Sequence, residues 1–433
     1  MEFCLQPGGS LRGALRVPGD KSMSHRAIML GALADGATRV KGFLEGEDAL
    51  ATLAAFRAMG VAIERPAAGE VIVSGVGLHG LKAPPAALDL GNAGTGMRLL
   101  AGLMAGQAFD SELTGDASLC SRPMGRVIDP LTLMGADITA QAGGRPPLHI
   151  RGGRDLQGIH YDLPMASAQV KSCVLLAGLY GQGRTSVTEP APTRDHTERM
   201  LRGFGYEVTN DNGVISLFGG GSLKACDIDV PADISSAAFF LVAASIAPGS
   251  ELVLTHVGVN PTRTGVINIL CLMGADIRLQ NEREVGGEPV ADIHVRHAPL
   301  RGIEIPRDQV PLAIDEVPAL FIAAACAEGR TVLRGAEELR VKESDRIAAM
   351  AEGLDVLGVK NEVLEDGIVI EGGGRIGGGE IQTHMDHRIA MAFSIAALRA
   401  QGEIRVLDCD HVATSFPGFD VLARGAGLQI SAG

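Results

Sequence analysis

Apolar residues along this chain fall into two alternating kinds of run. Long runs without a polar face follow Arg26, Met97, Gln169, Ser236, Glu316 and Arg388, as in Ala27-Ile28-Met29-Leu30-Gly31-Ala32-Leu33. A run that is apolar on every side predicts a helix buried on every side. After each comes a Gly turn and a short β-like run, such as Gly36-Ala37-Thr38-Arg39-Val40, Gly183-Arg184-Thr185-Ser186-Val187 or Gly329-Arg330-Thr331-Val332-Leu333, which predicts a strand. A second signature closes each unit: a helix, one Gly, then a strand. Its glycines are Gly60, Gly135, Gly205, Gly274, Gly358 and Gly427, spaced by 75, 70, 69, 84 and 69 residues. Glycine suits the position just past a helix, where left-handed backbone ends it.

Six copies of one period make an internal repeat. Each unit reads as strand, helix, strand, helix, strand. A unit of ~70 residues is too small to bury two helices and a sheet alone, so three are expected to pack together with helices inward. Six units then give two similar domains. Val230-Pro231-Ala232-Asp233 echoes Val17-Pro18-Gly19-Asp20 and marks the boundary. The stretch 3–17 is expected to pair with the last unit. One domain would then be discontinuous, 1–18 plus 231–433, with 19–230 inserted into it. Two Val-Pro crossings suggest a double hinge that closes over a ligand.

The starts of the six buried runs change the picture from packing to chemistry. They carry Lys21/Ser22/Arg26, Gly94/Thr95/Arg98, Ser167/Gln169/Lys171, Asp233/Ser235/Ser236, Asp315/Glu316 and Asp386/His387/Arg388. Ser and Asp are ordinary N-caps, with Ser22 or Ser24 the candidates for the first helix. Lys and Arg are not, because a cation opposes the dipole at a helix start. Helix N-termini collected with Lys and Arg define an anion-attracting pocket.

Composition bounds what that anion can be. The 433 residues carry a formal net charge of −13, with 46% hydrophobic residues, 3% aromatic and no Trp. This argues against nucleic-acid partners and against an anionic membrane surface. The anion meets a local basic cluster, which suits small molecules. Seven scattered cysteines without a CxxC pair read as reduced thiols of a cytosolic protein. No signal or transit segment is expected before the first strand, and the apolar runs are too short to span a bilayer.

Single motifs are consistent with this. Gly91-Asn92-Ala93-Gly94-Thr95-Gly96-Met97-Arg98 is a Gly-rich turn opening a helix, and its spacing matches no nucleotide fingerprint. Arg122 precedes a turn proline. Lys342 and Arg346 are four apart, so on a helix they would share a face and call for an anion between them. His384-Met385-Asp386-His387 lacks a metal-ligand complement, and no metal is expected.

The stretches PGDKSMSHR (18–26), LGNAGTGMR (90–98), SRPMGR (121–126), PMASAQVKS (164–172), PTRDHTE (192–198), NPTR (260–263), IDEVP (314–318), RVKESDR (340–346), MDHRIAM (385–391) and ATSFPGF (413–419) resemble the EPSP synthase (3-phosphoshikimate 1-carboxyvinyltransferase) family. The resemblance runs over essentially the whole chain, and GDKS, SAQVK, RDHTE and NPTR look like its class II branch. It implies an α/β fold of two inside-out domains, each of three pseudo-symmetric βαβαββ-type repeats. It implies transfer of the enolpyruvyl group of phosphoenolpyruvate to the 5-hydroxyl of shikimate 3-phosphate, with no metal or other cofactor, in a cytoplasmic monomer.

It also implies roles. Lys21 touches both substrates, and Ser22 and Arg26 hold the shikimate carboxylate. Ser167, Ala168 through its backbone, Gln169, Arg194 and Lys342 hold the phosphate or ring hydroxyls. Arg122, Arg346 and Arg388, with Gly94 and Gln169, hold phosphoenolpyruvate, beside His387. Asp315 accepts the hydroxyl proton, and Lys21 and Glu343 handle the proton at the methylene carbon. Two positions depart from some members: Ala168 stands for a Ser, and Thr414 for a Lys. The sister family acting on UDP-N-acetylglucosamine typically places a catalytic Cys five residues before the Arg of its RP motif, where this chain has Ala117.

Overall fold

The computed structural model describes all 433 residues. The chain forms two compact units. One comprises Gly19–Val230 with Val285–Gly287, the other Met1–Pro18, Pro231–Glu284 and Glu288–Gly433. Each has its own apolar core.

The first unit contains helices α1 (Lys21–Leu33), α2 (Glu47–Ala58), α3 (Gly94–Ala105), α4 (Ala117–Ser121), α5 (Gly125–Leu133), α6 (Ala168–Gly178) and α7 (His196–Gly203). The second contains α8 (Ile234–Ile246), α9 (Gly265–Leu272), α10 (Val310–Ala313), α11 (Val317–Cys326), α12 (Arg346–Val356), α13 (His387–Ala396) and α14 (Phe419–Ala426). The six all-apolar runs are α1, α3, α6, α8, α11 and α13. All thirteen residues of α8 are buried, and nine of the ten in α11. Between them lie one-sided helices such as α14, which buries Phe419, Ala423 and Ala426 at helical spacing.

The sheets repeat one pattern. His160–Asp162 pairs in parallel with Arg184–Thr188 across α6. Val214–Phe218 then lies antiparallel beside it, with Thr209–Asp211 outermost. The same order recurs in Leu88–Asp89, Ser111–Thr114, Arg145–Arg151 and Asp137–Gln141. These repeats are βαβαββ, one strand more than the run pattern shows; the sheet of Gly329–Leu333, Gly367–Gly372 and Asn361–Leu364 has three strands, with residues 301 and 304 adding only isolated bridges. The added strand belongs to a terminal hairpin, and a hairpin spans only one Gly signature.

Each unit closes on itself. In the first, Asp227–Asp229 pairs in parallel with Ala34–Lys41, so the end of the segment completes the sheet at its beginning. In the second, the 3–17 stretch is two strands. Phe3–Gly9 pairs with Ile404–Val406 and Leu428–Ala432 of the last repeat, whereas Arg12–Leu15 pairs with Glu251–Gly258. The break follows Gly8 and Gly9, both at positive φ.

The six signature glycines all have positive φ, from 73° at Gly358 to 119° at Gly427. At Gly60 the reason is visible in its hydrogen bonds. Gly60 N donates to Arg57 O at 3.0 Å and Val61 N to Phe56 O at 3.1 Å, a Schellman ending that satisfies the last carbonyls of α2. The pattern recurs at Gly135, Gly205, Gly274 and Gly358. Close packing uses glycine differently: a Cβ at Gly102 in α3 would sit 2.3 Å from the Cys173 carbonyl oxygen of α6. No helix is long and apolar enough to cross a membrane.

Candidate active site

In the first unit the start of α1 is capped by Asp20, not by Ser22 or Ser24. Asp20 Oδ1 accepts from Met23 N at 2.8 Å. Ser24 is buried and its Oγ instead accepts from Leu44 N at 2.9 Å. Lys21, the first helical residue, pairs with Asp48 of α2. Arg26 is only 3% exposed. Its Nη1 donates to the Ser22 carbonyl (2.9 Å), Nη2 to Ser172 Oγ (2.8 Å) and Nε to Thr197 Oγ1 (2.7 Å), which ties α1 to α6 and α7.

The Gly-rich turn opens α3 and gathers a second group. A Cβ on Gly94 would lie 3.1 Å from Nη1 of both Arg98 and Arg122. Arg98 Nη1 donates to Gln169 Oε1 at 2.7 Å, and Gln169 Nε2 to Thr95 Oγ1 at 2.9 Å. Arg122, at the end of α4, is held by Asn92 Oδ1 (2.6 Å) and Ser118 Oγ (3.0 Å). Gly94, Arg122 and Gln169 are thus together, with Arg98, one of the cations at the six helix starts to which the family resemblance assigns no substrate. Its signal was the final Arg of LGNAGTGMR. Ser167 caps α6 through Val170 N at 3.4 Å, and Ala168 is the first residue of that helix. Arg194 is half-buried in the segment between Arg184–Thr188 and α7.

In the second unit the centre is Arg346, 1% exposed at the start of α12. Nη1 meets Asp315 Oδ1 at 3.2 Å, Nη2 meets Glu343 Oε2 at 2.5 Å, and Nε meets Asp386 Oδ2 at 2.8 Å. Burial alone would depress its pKa, but the three carboxylates, Asp386 foremost, raise it above the ordinary arginine value. Asp386 also caps α13 through Arg388 N (2.9 Å) and accepts from Ser344 Oγ (3.1 Å). Burial would raise the Asp386 pKa, yet it is lowered, chiefly by Arg346. Arg388 Nη1 donates to the Asp315 carbonyl at 2.8 Å. His387 is buried as the first residue of α13. Thr414 is also buried, its Oγ1 donating to His411 O at 2.7 Å.

The expectation that Lys342 and Arg346 share a helical face is corrected. Lys342 follows a 3₁₀ turn, Glu337–Val341, and α12 begins only at Arg346 with Asp345 as its cap. The anion between them is the chain's own: Asp315 Oδ1 lies 3.6 Å from Lys342 Nζ, which also meets Glu338 at 3.0 Å. Lys171, expected among the anion-attracting cations, is instead buried against Glu189 and Glu198; Asp386 is the N-cap its type suggests and also pairs with Arg346; and Asp48, which no motif marked, holds Lys21. No group of three or more His, Cys, Asp and Glu could hold a metal ion. The arrangement offers guanidinium and ammonium groups for anions, with carboxylates beside them for proton transfer.

Six α/β repeats in two units, each built around a buried helix, are the enolpyruvyltransferase fold. The solved enolpyruvyl transferase NikO from Streptomyces tendae shares the fold, with a TM-score of 0.79 over 99% of this chain and 98% of that chain at 18% identity. The relationship narrows with the EPSP synthase family description (3-phosphoshikimate 1-carboxyvinyltransferase), which matches residues 5–421. The chain is 67% identical to a 3-phosphoshikimate 1-carboxyvinyltransferase of Alkalilimnicola ehrlichii, over 100% of this chain and 97% of that one. It is 64% identical to that of Methylococcus capsulatus, over 99% and 98%. A solved EPSP synthase from Acinetobacter baumannii superposes with a TM-score of 0.90 at 61% identity, covering 99% of each chain. The chain belongs to the EPSP synthase family.

Proposed function

We propose that the groups around Arg346 and around Gly94 are the working parts of an enolpyruvyl transfer. The enzyme transfers the enolpyruvyl group of phosphoenolpyruvate to the 5-hydroxyl of shikimate 3-phosphate and releases phosphate, in the biosynthesis of chorismate and the aromatic amino acids. In this reading Lys21 meets both substrates, and Ser22 and Arg26 take the shikimate carboxylate. Ser167, the Ala168 backbone, Gln169, Arg194 and Lys342 take the phosphate and ring hydroxyls. Arg122, Arg346 and Arg388 take phosphoenolpyruvate, with Gly94, Gln169 and His387 alongside.

Two polyanions repel, and guanidinium forks screen that repulsion while fixing orientation. Asp315 accepts the 5-hydroxyl proton as the oxygen attacks C2 of phosphoenolpyruvate. Glu343 or Lys21 protonates the methylene carbon, which leaves C2 cationic during attack, and a neighbouring carboxylate stabilises that charge. Loss of phosphate, with return of one methyl proton to the base, regenerates the enol ether. The observation that carries this reading is the contact of Arg346 with Asp315 and Glu343 at once, a cation for the substrate anion held among its acid and base.

The same reading takes 1–18 plus 231–433 and 19–230 as the two functional domains, and takes the enzyme as a cytoplasmic monomer of the class II branch on the GDKS, SAQVK, RDHTE and NPTR motifs. The test is phosphate release from phosphoenolpyruvate. It is expected with shikimate 3-phosphate and not with UDP-N-acetylglucosamine; release with the sugar nucleotide alone would overturn the assignment.

A further inference from the structure

Lys171 lies in the first turns of α6 and is 1% exposed. A cation there opposes the helix dipole, and a buried ammonium is costly unless it is paired. Its Nζ meets Glu198 Oε1 of α7 at 2.8 Å, Glu189 Oε2 at 2.9 Å and the Thr193 carbonyl at 3.4 Å. The second oxygen of Glu189 accepts from the Thr193 hydroxyl. Residues 189–195 join the strand Arg184–Thr188 to α7 and carry Arg194. One ammonium therefore holds that segment at its first residue, next to Arg194, and in the helix that follows. Pro190 and Pro192 stiffen the span between the first two holds. Burial would lower the Lys171 pKa, but Glu198 and Glu189 raise it above the ordinary value, so the group stays charged at neutral pH. Buried ionic groups of this kind seldom add net stability over apolar packing; what they supply is geometry. Here the geometry joins two sets of residues, because the start of α6 presents Ser167, Ala168 and Gln169.

We propose that Lys171 is a positioning residue for shikimate 3-phosphate: with Glu189 and Glu198 it locks the Arg194 segment onto the start of α6, so that Arg194 is pre-ordered beside Ser167, Ala168 and Gln169 for one ligand. The proposal rests on the reading of Arg194 as a substrate contact. Such a device sets affinity for that substrate and leaves the chemical step alone.

The test uses steady-state kinetics of the full chain with Glu189→Gln, Lys171→Met, Arg194→Ala and the double variant Glu189→Gln/Arg194→Ala. Glu189→Gln is the primary variant, because it leaves Lys171 paired one-to-one with Glu198 and so folds. It is expected to raise KM for shikimate 3-phosphate about ten-fold, the scale of one charge-assisted contact. The kcat and the KM for phosphoenolpyruvate should stay within about three-fold. In the double variant KM should equal that of Arg194→Ala alone, because the tether has nothing left to position. An effect of Glu189→Gln that multiplies that of Arg194→Ala overturns the proposal, as does one confined to kcat. A raised KM in Arg194→Ala with an unchanged KM in both Glu189→Gln and a folded Lys171→Met overturns the positioning alone. An unchanged KM in Arg194→Ala overturns the Arg194 reading and the proposal with it.

Discussion

Replacing Gly94 by Ala adds one methyl to the wall assigned to phosphoenolpyruvate. Gly94 is not among the residues at positive φ, so no backbone strain is expected. As the first residue of α3 it should gain slightly in helix stability, by up to ~0.5–1 kcal/mol. The methyl meets Arg98 Nη1 and Arg122 Nη1 at 3.1 Å each, tighter than the 3.4–4 Å of ordinary contact, and Leu119 Cδ1 at 3.9 Å. Both guanidinium groups must withdraw by a few tenths of an ångström while still held by Gln169, Asn92 and Ser118. Overpacking of this size costs about 1–3 kcal/mol for whatever must share the space. Glyphosate, an inhibitor that the family resemblance places in the phosphoenolpyruvate pocket, is slightly longer than the substrate. It should feel most of that penalty, so its inhibition constant should rise about 10- to 100-fold. The KM for phosphoenolpyruvate should rise only a few-fold, and Tm should hold or increase. The wild type, with Gly here, is expected to be inhibited. The assay is phosphate release against both ligands, with a thermal melt of each protein. Equal increases in both constants, an insensitive wild type, or a fall in Tm that accounts for lost activity would each refute the placement of Gly94.

Three other outcomes follow from single groups. Arg122→Ala should lower kcat/KM by on the order of 100-fold, because a donor preorganised by Asn92 and Ser118 is lost; near-normal kinetics in a folded variant would remove it from the site. Asp315→Asn keeps an oxygen for Arg346 but not the proton acceptor, so binding should persist while turnover falls by about 100-fold or more; surviving turnover would shift the base to Glu343. His25 is fully buried, with Nδ1 on Thr52 Oγ1 at 2.8 Å and Nε2 without a partner; burial, then Lys21 and Arg26, push its pKa from 6.5 to about 3. A base depressed on folding stabilises the protein above its unfolded pKa and loses that contribution as pH falls from 6.5 towards 3. Denaturant unfolding across that window should show His25→Gln losing a slope of up to ~1.4 kcal/mol per pH unit; an unaltered slope would mean that His25 is solvated.

The sequence alone determined what depends on neighbours a few residues apart. Left-handed glycines ending helices need only their own turn, so the six-fold repeat was legible from their spacing. Helices buried on all sides are written as runs with no polar face, and all six lie where those runs fall. The candidate site was legible through motifs, as residue types collected at helix starts. Tertiary structure decided the partners. Asp20, Ser22 and Ser24 are all good caps by type; the backbone turns helical at Lys21, which makes Asp20 the cap, and Ser24, inside the helix, accepts from Leu44 N instead. The spacing of Lys342 and Arg346 implied a shared face only if the backbone there were helical, and Asp345 starts the helix too late for that. Arg346 collects Asp315 and Asp386 from 31 and 40 residues away, and Arg26 collects Ser172 and Thr197 from 146 and 171. No local pattern encodes such pairings, because electrostatic energy depends on distance in space, and only the packing of repeats brings these charges within a few ångströms.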